Sequence, residues 1–218
     1  MTTPPALVIF DNDGVLVDSE RLSNRIFAEL ITSHGLPTTF TEAVERYMGR
    51  RTTDCVADIE AQLGRPLDPG FVGAYEARCA ETLRAELTAV DGVVDVLDRL
   101  DAAGVPYCIA SSGTPDEIAL RLAVTGLADR FGDRVYSGSM VARGKPAPDL
   151  FEYAADRMGV APGAAVVVED SPPGVVGAKA AGATVIGHAA LLPAGRLAEA
   201  GADHVVTGMT QVPPLLGI

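Results

Sequence analysis

The sequence predicts an α/β protein: a parallel β-sheet covered by helices, with an all-helical block inserted after the first strand. Three observations lead there. Short apolar runs alternate with longer stretches of helical period, as strands joined by crossover helices do. Between residue 18 and about residue 88 this rhythm breaks and only helical periods occur. The polar clusters able to do chemistry each follow an apolar run directly, where open α/β sheets bind their ligands.

In chain order, Ala6-Leu7-Val8-Ile9 is a short apolar run of the kind that forms a buried strand. Helical periods then fill residues 20–33, 41–48, 53–62 and 71–86, punctuated by Gly35, Gly49 and Gly64-Arg65-Pro66. Residues 105–110 (VPYCIA), 165–168 (AVVV), 184–186 (TVI) and 204–206 (HVV) are the other expected strands. Helices are expected over residues 93–103, 116–125, 149–158 and 175–181. The expected organisation is a Rossmann-like core of residues 1–17 and 88–218, with a helical cap over residues 18–87. Residues 15–19 and 87–92 would be its hinges.

Composition narrows the function. The chain has 218 residues, 48% of them hydrophobic, enough for a sizeable core in one large domain or a domain with an insert. Its net charge is −12. A field of that sign does not attract nucleic acid or an anionic membrane, so an anionic substrate needs a locally positive pocket. No apolar run approaches bilayer-spanning length. The opening Met1-Thr2-Thr3-Pro4-Pro5 has no basic region, and residues 6–10 are too short for a signal core. Cys55, Cys79 and Cys108 are odd in number and far apart, which suggests neither a zinc site nor a disulfide framework. The expectation is a cytoplasmic protein with reduced thiols that binds neither nucleic acid nor membrane. Oligomeric state is not readable, a monomer being compatible with the sequence.

Four clusters can do chemistry. In FDNDGVLVDSE, four acids fall within ten residues of the first strand. Like charges this close repel and shift each other's pKa. In extended backbone Asp11 and Asp13 point the same way, roughly 6–7 Å apart, and Gly14 permits a tight bend. Next, Ser111-Ser112-Gly113 follows VPYCIA and leads into Thr114-Pro115-Asp116-Glu117, a capping box with proline at the first helical position. Hydroxyls and amides at such a helix start suit an anion such as phosphate. Third, Lys145 is pinned by Pro146 and Pro148, a compact charge suited to a phosphate oxygen. Fourth, Glu169-Asp170 ends the AVVV strand. With Asp11 and Asp13 these acids could form an all-oxygen cage for a hard cation such as Mg²⁺.

Taken singly, each cluster has a purely structural reading as a turn, a cap or a solvated charge. Four of complementary chemistry, each at a strand end, argue for one site. His188 and His204 have no partners in sequence, His34 sits at an expected helix end, and Cys108 fits a buried core position. Arg50 and Arg51 in the helical block are solvated charges, or cap residues presented to an anionic substrate.

With these residues in view, the chain resembles the haloacid dehalogenase-like (HAD) hydrolase superfamily, in the branch with a helical cap after the first strand. The resemblance covers essentially the whole chain and rests on Asp11-x-Asp13-Gly14, Ser111, Lys145 and Glu169-Asp170. FDNDGVLVDSE, GKPAPDLF and VVEDSPPGV are most similar to the sugar-phosphate phosphatase and beta-phosphoglucomutase group. The resemblance implies Asp11 as nucleophile, forming an aspartyl-phosphate, and Asp13 as general acid and then base. It implies Mg²⁺ held by Asp11, the backbone carbonyl of Asp13, Asp170 and Glu169, the last directly or through water. Ser111, with Ser112, and Lys145 would bind phosphoryl oxygens. Ser171 and the amides of Asn12 and Asp13 would support the site. Asp11, Glu169 and Asp170 can share it with a phosphate dianion only if Mg²⁺ and Lys145 offset them.

Within that group the sequence favours a Mg²⁺-dependent phosphatase of a small metabolite, a sugar phosphate or sugar-acid phosphate. The mutase carries a histidine at a position that falls near Ser23, and no histidine occurs here before His34. The segment Met48-Gly49-Arg50-Arg51-Thr52 also departs from the mutase loop. Dehalogenase activity is disfavoured by the lysine–serine cradle and by Asp13. A phospho-accepting signalling domain uses similar residues in another order, and it lacks the helical insert.

Overall fold

The computed structural model describes residues 4–48, 50 and 52–218. Its elements begin with β1 (Leu7–Phe10), α1 (Ser19–Ser33), α2 (Phe40–Tyr47), α3 (Thr52–Leu63), α4 (Phe71–Glu86) and α5 (Val93–Ala103). They continue with β2 (Tyr107–Ser111), α6 (Pro115–Val124), α7 (Ala128–Phe131), β3 (Val135–Ser137) and α8 (Asp149–Arg157). The chain closes with β4 (Ala165–Glu169), α9 (Pro172–Ala180), β5 (Thr184–His188), α10 (Ala194–Glu199), β6 (His204–Val206) and α11 (Val212–Leu216). Two compact units result: the chain up to Asp18 together with Thr88–Ile218, and Ser19–Leu87.

In the first unit, six strands among the described residues form one parallel sheet in the order β3-β2-β1-β4-β5-β6. This is the doubly wound order, in which the chain steps outward from β1 and then returns to its other side. β1 therefore lies between β2 and β4, with Phe10 in register with Ile109 and Val168. The carboxyl ends of these three strands meet at the switch point. Both β1 and β2 are buried along their whole length, as helices on both faces require. Leu7, Ile9, Val167, Phe151 and Val175 share one face of the core. Full burial of a side chain such as Phe151 contributes about 1.5–3 kcal/mol. On the far side Tyr107 packs edge-on against Phe10 and Phe131.

The α/β fold class is as the sequence predicts, and the differences are local. β3 was not expected: its VYS run ends in a serine and holds only two residues that read as apolar, too little to register as a buried strand. α7, α10 and α11 are four to six residues long and escape periodicity for the same reason. α9 begins at Pro172, three residues before the expected start at 175. Prolines there occupy positions whose N–H groups have no helical partner, so they open the helix rather than delay it.

Among its described residues the second unit contains helices and no strand. Its core gathers Phe27, Ile31, Tyr47, Ile59 and Phe71. Phe27 meets Tyr47, Phe71 and Tyr75 edge-on at centroid distances of 5.3, 6.1 and 5.0 Å, a geometry aromatic quadrupoles favour. Among the described residues no helix is long and apolar enough to cross a membrane. None of the three cysteines forms a disulfide.

Candidate active site

The first cluster sits on a loop that the sheet and a glycine shape together. The Asp11 amide donates to the Val168 carbonyl at 2.9 Å, so β1 stays in register with β4 for one more residue. Gly14 then adopts φ 73°, a left-handed conformation that favours glycine. The turn closes by bonds from Leu16 and Val17 to the Asn12 carbonyl and from Gly14 to Val17. Asp11 and Asn12 are buried at its base. Asn12 Oδ1 is a buried side-chain oxygen with no hydrogen-bond partner among the described residues.

Lys145 and Glu169 join Asp11 from distant parts of the chain; Glu169 ends β4, whereas Lys145, expected directly at a strand end, follows the end of β3 by eight residues. Lys145 Nζ donates to Asp11 Oδ1 at 2.7 Å and to Glu169 Oε1 at 2.5 Å. The Lys145–Pro146 peptide is cis. The loop lies close against α9: a Cβ on Gly177 would stand 2.9 Å from the Ala147 carbonyl oxygen. Glu169 is fully buried, and its Oε2 accepts from the Ser171 amide at 2.8 Å and the Ser171 hydroxyl at 2.9 Å. Ser171 is also the N-cap of α9, accepting from the Gly174 amide. One serine thus caps the helix and holds the acid.

Oxygen ligands of Asp11, Glu169 and Asp170 lie within 4.8 Å of one another, and all three residues are buried. Burial, together with Glu169 and Asp13, pushes the Asp11 carboxyl up to about 7, against the pull of Lys145. Burial opposes the Lys145 charge, yet Asp11 and Glu169 hold its pKa above the usual lysine value. With all three acids ionised, one ammonium against three carboxylates leaves two negative charges in excess. A buried set of oxygen donors with that excess fits a hard divalent cation such as Mg²⁺.

Ser111 ends β2, beside β1, and its buried Oγ accepts from the Gly113 amide at 3.1 Å. Ser112 follows and is exposed. The Thr114–Glu117 capping box is formed, with Pro115 in the first turn of α6. The sequence reading missed Arg121 on that helix, whose Nη1 is 2.9 Å from Asp13 Oδ2. Glu117 and Arg121 share one face of α6 at i, i+4, which reads as a pair on the helix surface and gives no signal towards Asp13.

In the helical unit, Arg50 is exposed and bonds Asp58 at 3.1 Å and the Arg46 carbonyl at 3.0 Å. It also lines a cavity of about 190 Å³ with Glu20, Ser23, Asn24, Thr52 and Tyr75. The expectation for Arg51 lies outside the described residues, as does that for Gly49.

His188, which lacked a partner in sequence, has one in space. It is buried at the end of β5, with Nδ1 3.0 Å from the Gly14 carbonyl, which accepts from it. Burial holds its pKa below the usual histidine value, although the Gly14 carbonyl and Asp18 pull upward. Just below about pH 6.5 the unfolded chain therefore binds more protons than the folded one, and stability falls as pH drops towards the folded pKa. We expect wild type to lose stability relative to His188→Gln between about pH 7 and 5. Paired thermal unfolding series check this, and parallel curves would contradict it.

A family model described as haloacid dehalogenase-like hydrolase matches residues 5–182. Validoxylamine A 7'-phosphate phosphatase of Streptomyces hygroscopicus subsp. limoneus is 33% identical, over 94% of this chain and 95% of its own. Hexitol phosphatase A of Escherichia coli (strain K12) is 31% identical, over 94% and 91%. The crystal structure of a HAD family hydrolase from Deinococcus radiodurans R1, with bound phosphate and sodium, superposes with a TM-score of 0.88 at 33% identity. That match covers 99% of this chain and 96% of the other.

Proposed function

The chain belongs to the haloacid dehalogenase-like hydrolase family, and from that premise we propose that it is a Mg²⁺-dependent phosphatase of a small metabolite, a sugar phosphate or sugar-acid phosphate. The observation that carries the proposal is Lys145 bridging Asp11 and Glu169 beside Asp170, at the sheet's switch point. The phosphatase names of the relatives support the ester substrate, and hexitol points to a polyhydroxylated one.

In the proposed reaction an Asp11 oxygen attacks phosphorus and the ester oxygen leaves with a proton from Asp13, giving an aspartyl-phosphate. Asp13, now a carboxylate, takes a proton from water as that water attacks the same phosphorus, and Asp11 is freed with release of phosphate. Ser111, with Ser112, and Lys145 hold the phosphoryl oxygens in line, helped by the N-terminus of α6. Asp11, the Asp13 backbone carbonyl, Glu169 and Asp170 would hold Mg²⁺, which when bound offsets the excess negative charge and polarises the phosphoryl group. The helical unit would act as the cap, with Arg50 and Arg51 among the residues that set which ester is accepted. We place the enzyme in the cytoplasm.

Phosphate release from sugar phosphates, 6-phosphogluconate, phosphoglycolate and p-nitrophenyl phosphate, with Mg²⁺ or with EDTA, tests the reading. Release is expected with Mg²⁺ and is expected to be lost in EDTA. Activity unchanged by EDTA would remove the metal from the account. Conversion of beta-glucose 1-phosphate to glucose 6-phosphate without net phosphate release would favour the mutase.

A further inference from the structure

On the reading of the site given above, we propose that Arg121 is a positioning residue for Asp13. Its guanidinium holds Oδ2 and so fixes the direction of the Asp13 carboxyl group, leaving Oδ1 to carry the transferred proton, and thereby sets the rate of the chemical steps without itself touching substrate. The two residues are 108 positions apart and meet at 2.9 Å, a charge-assisted hydrogen bond. The same Asp13 oxygen also faces Asn12 Nδ2 at 3.3 Å, from a side chain that is fully buried. Two donors on one oxygen restrict rotation of the carboxylate.

The pair is partly shielded. The Arg121 and Asp13 side chains are 18% and 21% exposed, whereas the Arg25–Glu86 pair is 44% and 51% exposed. Solvent and salt therefore weaken it less than a surface bridge. Arg121 is also held by its helix. α6 starts at a completed capping box directly after the Ser111–Gly113 turn, so the turn and the arginine belong to one continuous structure. Its head group lies against that turn: a Cβ on Gly113 would stand 3.3 Å from Arg121 Nη1 and 3.4 Å from Ser111 Oγ. Gly113 leaves the room that brings the guanidinium beside the proposed phosphate-binding turn. Asp13, by contrast, rides on a bent loop at Gly14. A group that must face first a leaving oxygen and then a water gains from a fixed direction, because a misplacement of about 1 Å can cost about 10²-fold in rate.

The test compares wild type, Arg121→Met, Arg121→Lys, Asp13→Ala and the Asp13→Ala/Arg121→Met double variant. All are assayed with Mg²⁺ on the best ester of the panel and on p-nitrophenyl phosphate, whose good leaving group needs no acid in the first step, so that its p-nitrophenol burst keeps Asp13 variants measurable. Thermal unfolding of each runs alongside. Arg121→Met is expected to lower kcat by up to about 10²-fold with KM nearly unchanged. Arg121→Lys should recover part of the loss, since it keeps the charge but not the fork. In the Asp13→Ala background the arginine change should cost nothing more. A rise in KM with kcat kept, or an equal loss in both backgrounds, would overturn the proposal. So would a loss that only follows Tm. Wild type inactive on every ester would sink the reading of the site and this proposal with it. An active wild type with an unaffected Arg121→Met would sink this proposal alone.

Discussion

Asp11→Asn is expected to cost on the order of 10⁴- to 10⁶-fold in kcat, the range spanned when single members of a catalytic unit built around a covalent nucleophile are removed. Asn has nearly the shape of Asp and can still accept a hydrogen bond from Lys145, which also keeps Glu169 as a partner at 2.5 Å. Lys145 is therefore not stranded as a buried unpaired charge. Burial already penalises the ionised Asp11 carboxyl. Removing that charge should leave the metal-free fold about as stable as wild type at neutral pH. Phosphate release and a melting curve on the same preparation separate chemistry from folding. Lost activity with an unchanged Tm is the expected result. A variant with activity near wild type would remove Asp11 from the nucleophile's role.

Gly174→Ala is expected to damage both stability and turnover. A Cβ at this position would lie 1.7 Å from Glu169 Oε1 and 2.0 Å from its Cδ. The carboxylate is tied to Lys145 and to the amide and hydroxyl of Ser171, so it cannot move aside without breaking those bonds. Either the first turn of α9 shifts or Glu169 leaves its place. Overpacking of this kind costs about 1–3 kcal/mol. In a domain of this size that corresponds to a Tm lower by roughly 2–4 °C per kcal/mol. Displacing a group that supports a metal site typically costs about 10–100-fold in metal affinity or activity. Thermal unfolding and Mg²⁺ titration of activity measure the two effects. An alanine variant with wild-type Tm and Mg²⁺ dependence would show that Glu169 is not held as described.

What the sequence made legible was set by the range over which each signal acts. The Thr114–Glu117 box is complete within four residues, and spacing alone is enough to read it. The strand-end positions of Asp11, Ser111 and Glu169 followed from apolar runs that end abruptly, and the parallel sheet brings those ends side by side. The Arg121–Asp13 pair spans 108 positions, and no local pattern aims one at the other. Nothing in the sequence singles out Gly174; its demand for space appears only once the Glu169 side chain folds back over the first turn of α9. β3 was missed because VYS offers too short an apolar run, and α9 was placed late because its two prolines look like a helix stop although they occupy its first turn. In the helical unit the aromatic and aliphatic residues that gather around Phe27 recur at helical spacing, a signal of short range. Which of its side chains choose a substrate is a matter of direction, and periodicity does not give direction.

The measurement that tests the central claim most directly is to quench a turnover mixture with acid and locate phosphoryl groups by peptide mass spectrometry. The account predicts one phosphoryl group on the peptide that contains Asp11, present with Mg²⁺ and substrate and absent in Asp11→Asn. Phosphate released at full rate with that peptide unmodified, or with the phosphoryl group on another residue, would contradict it.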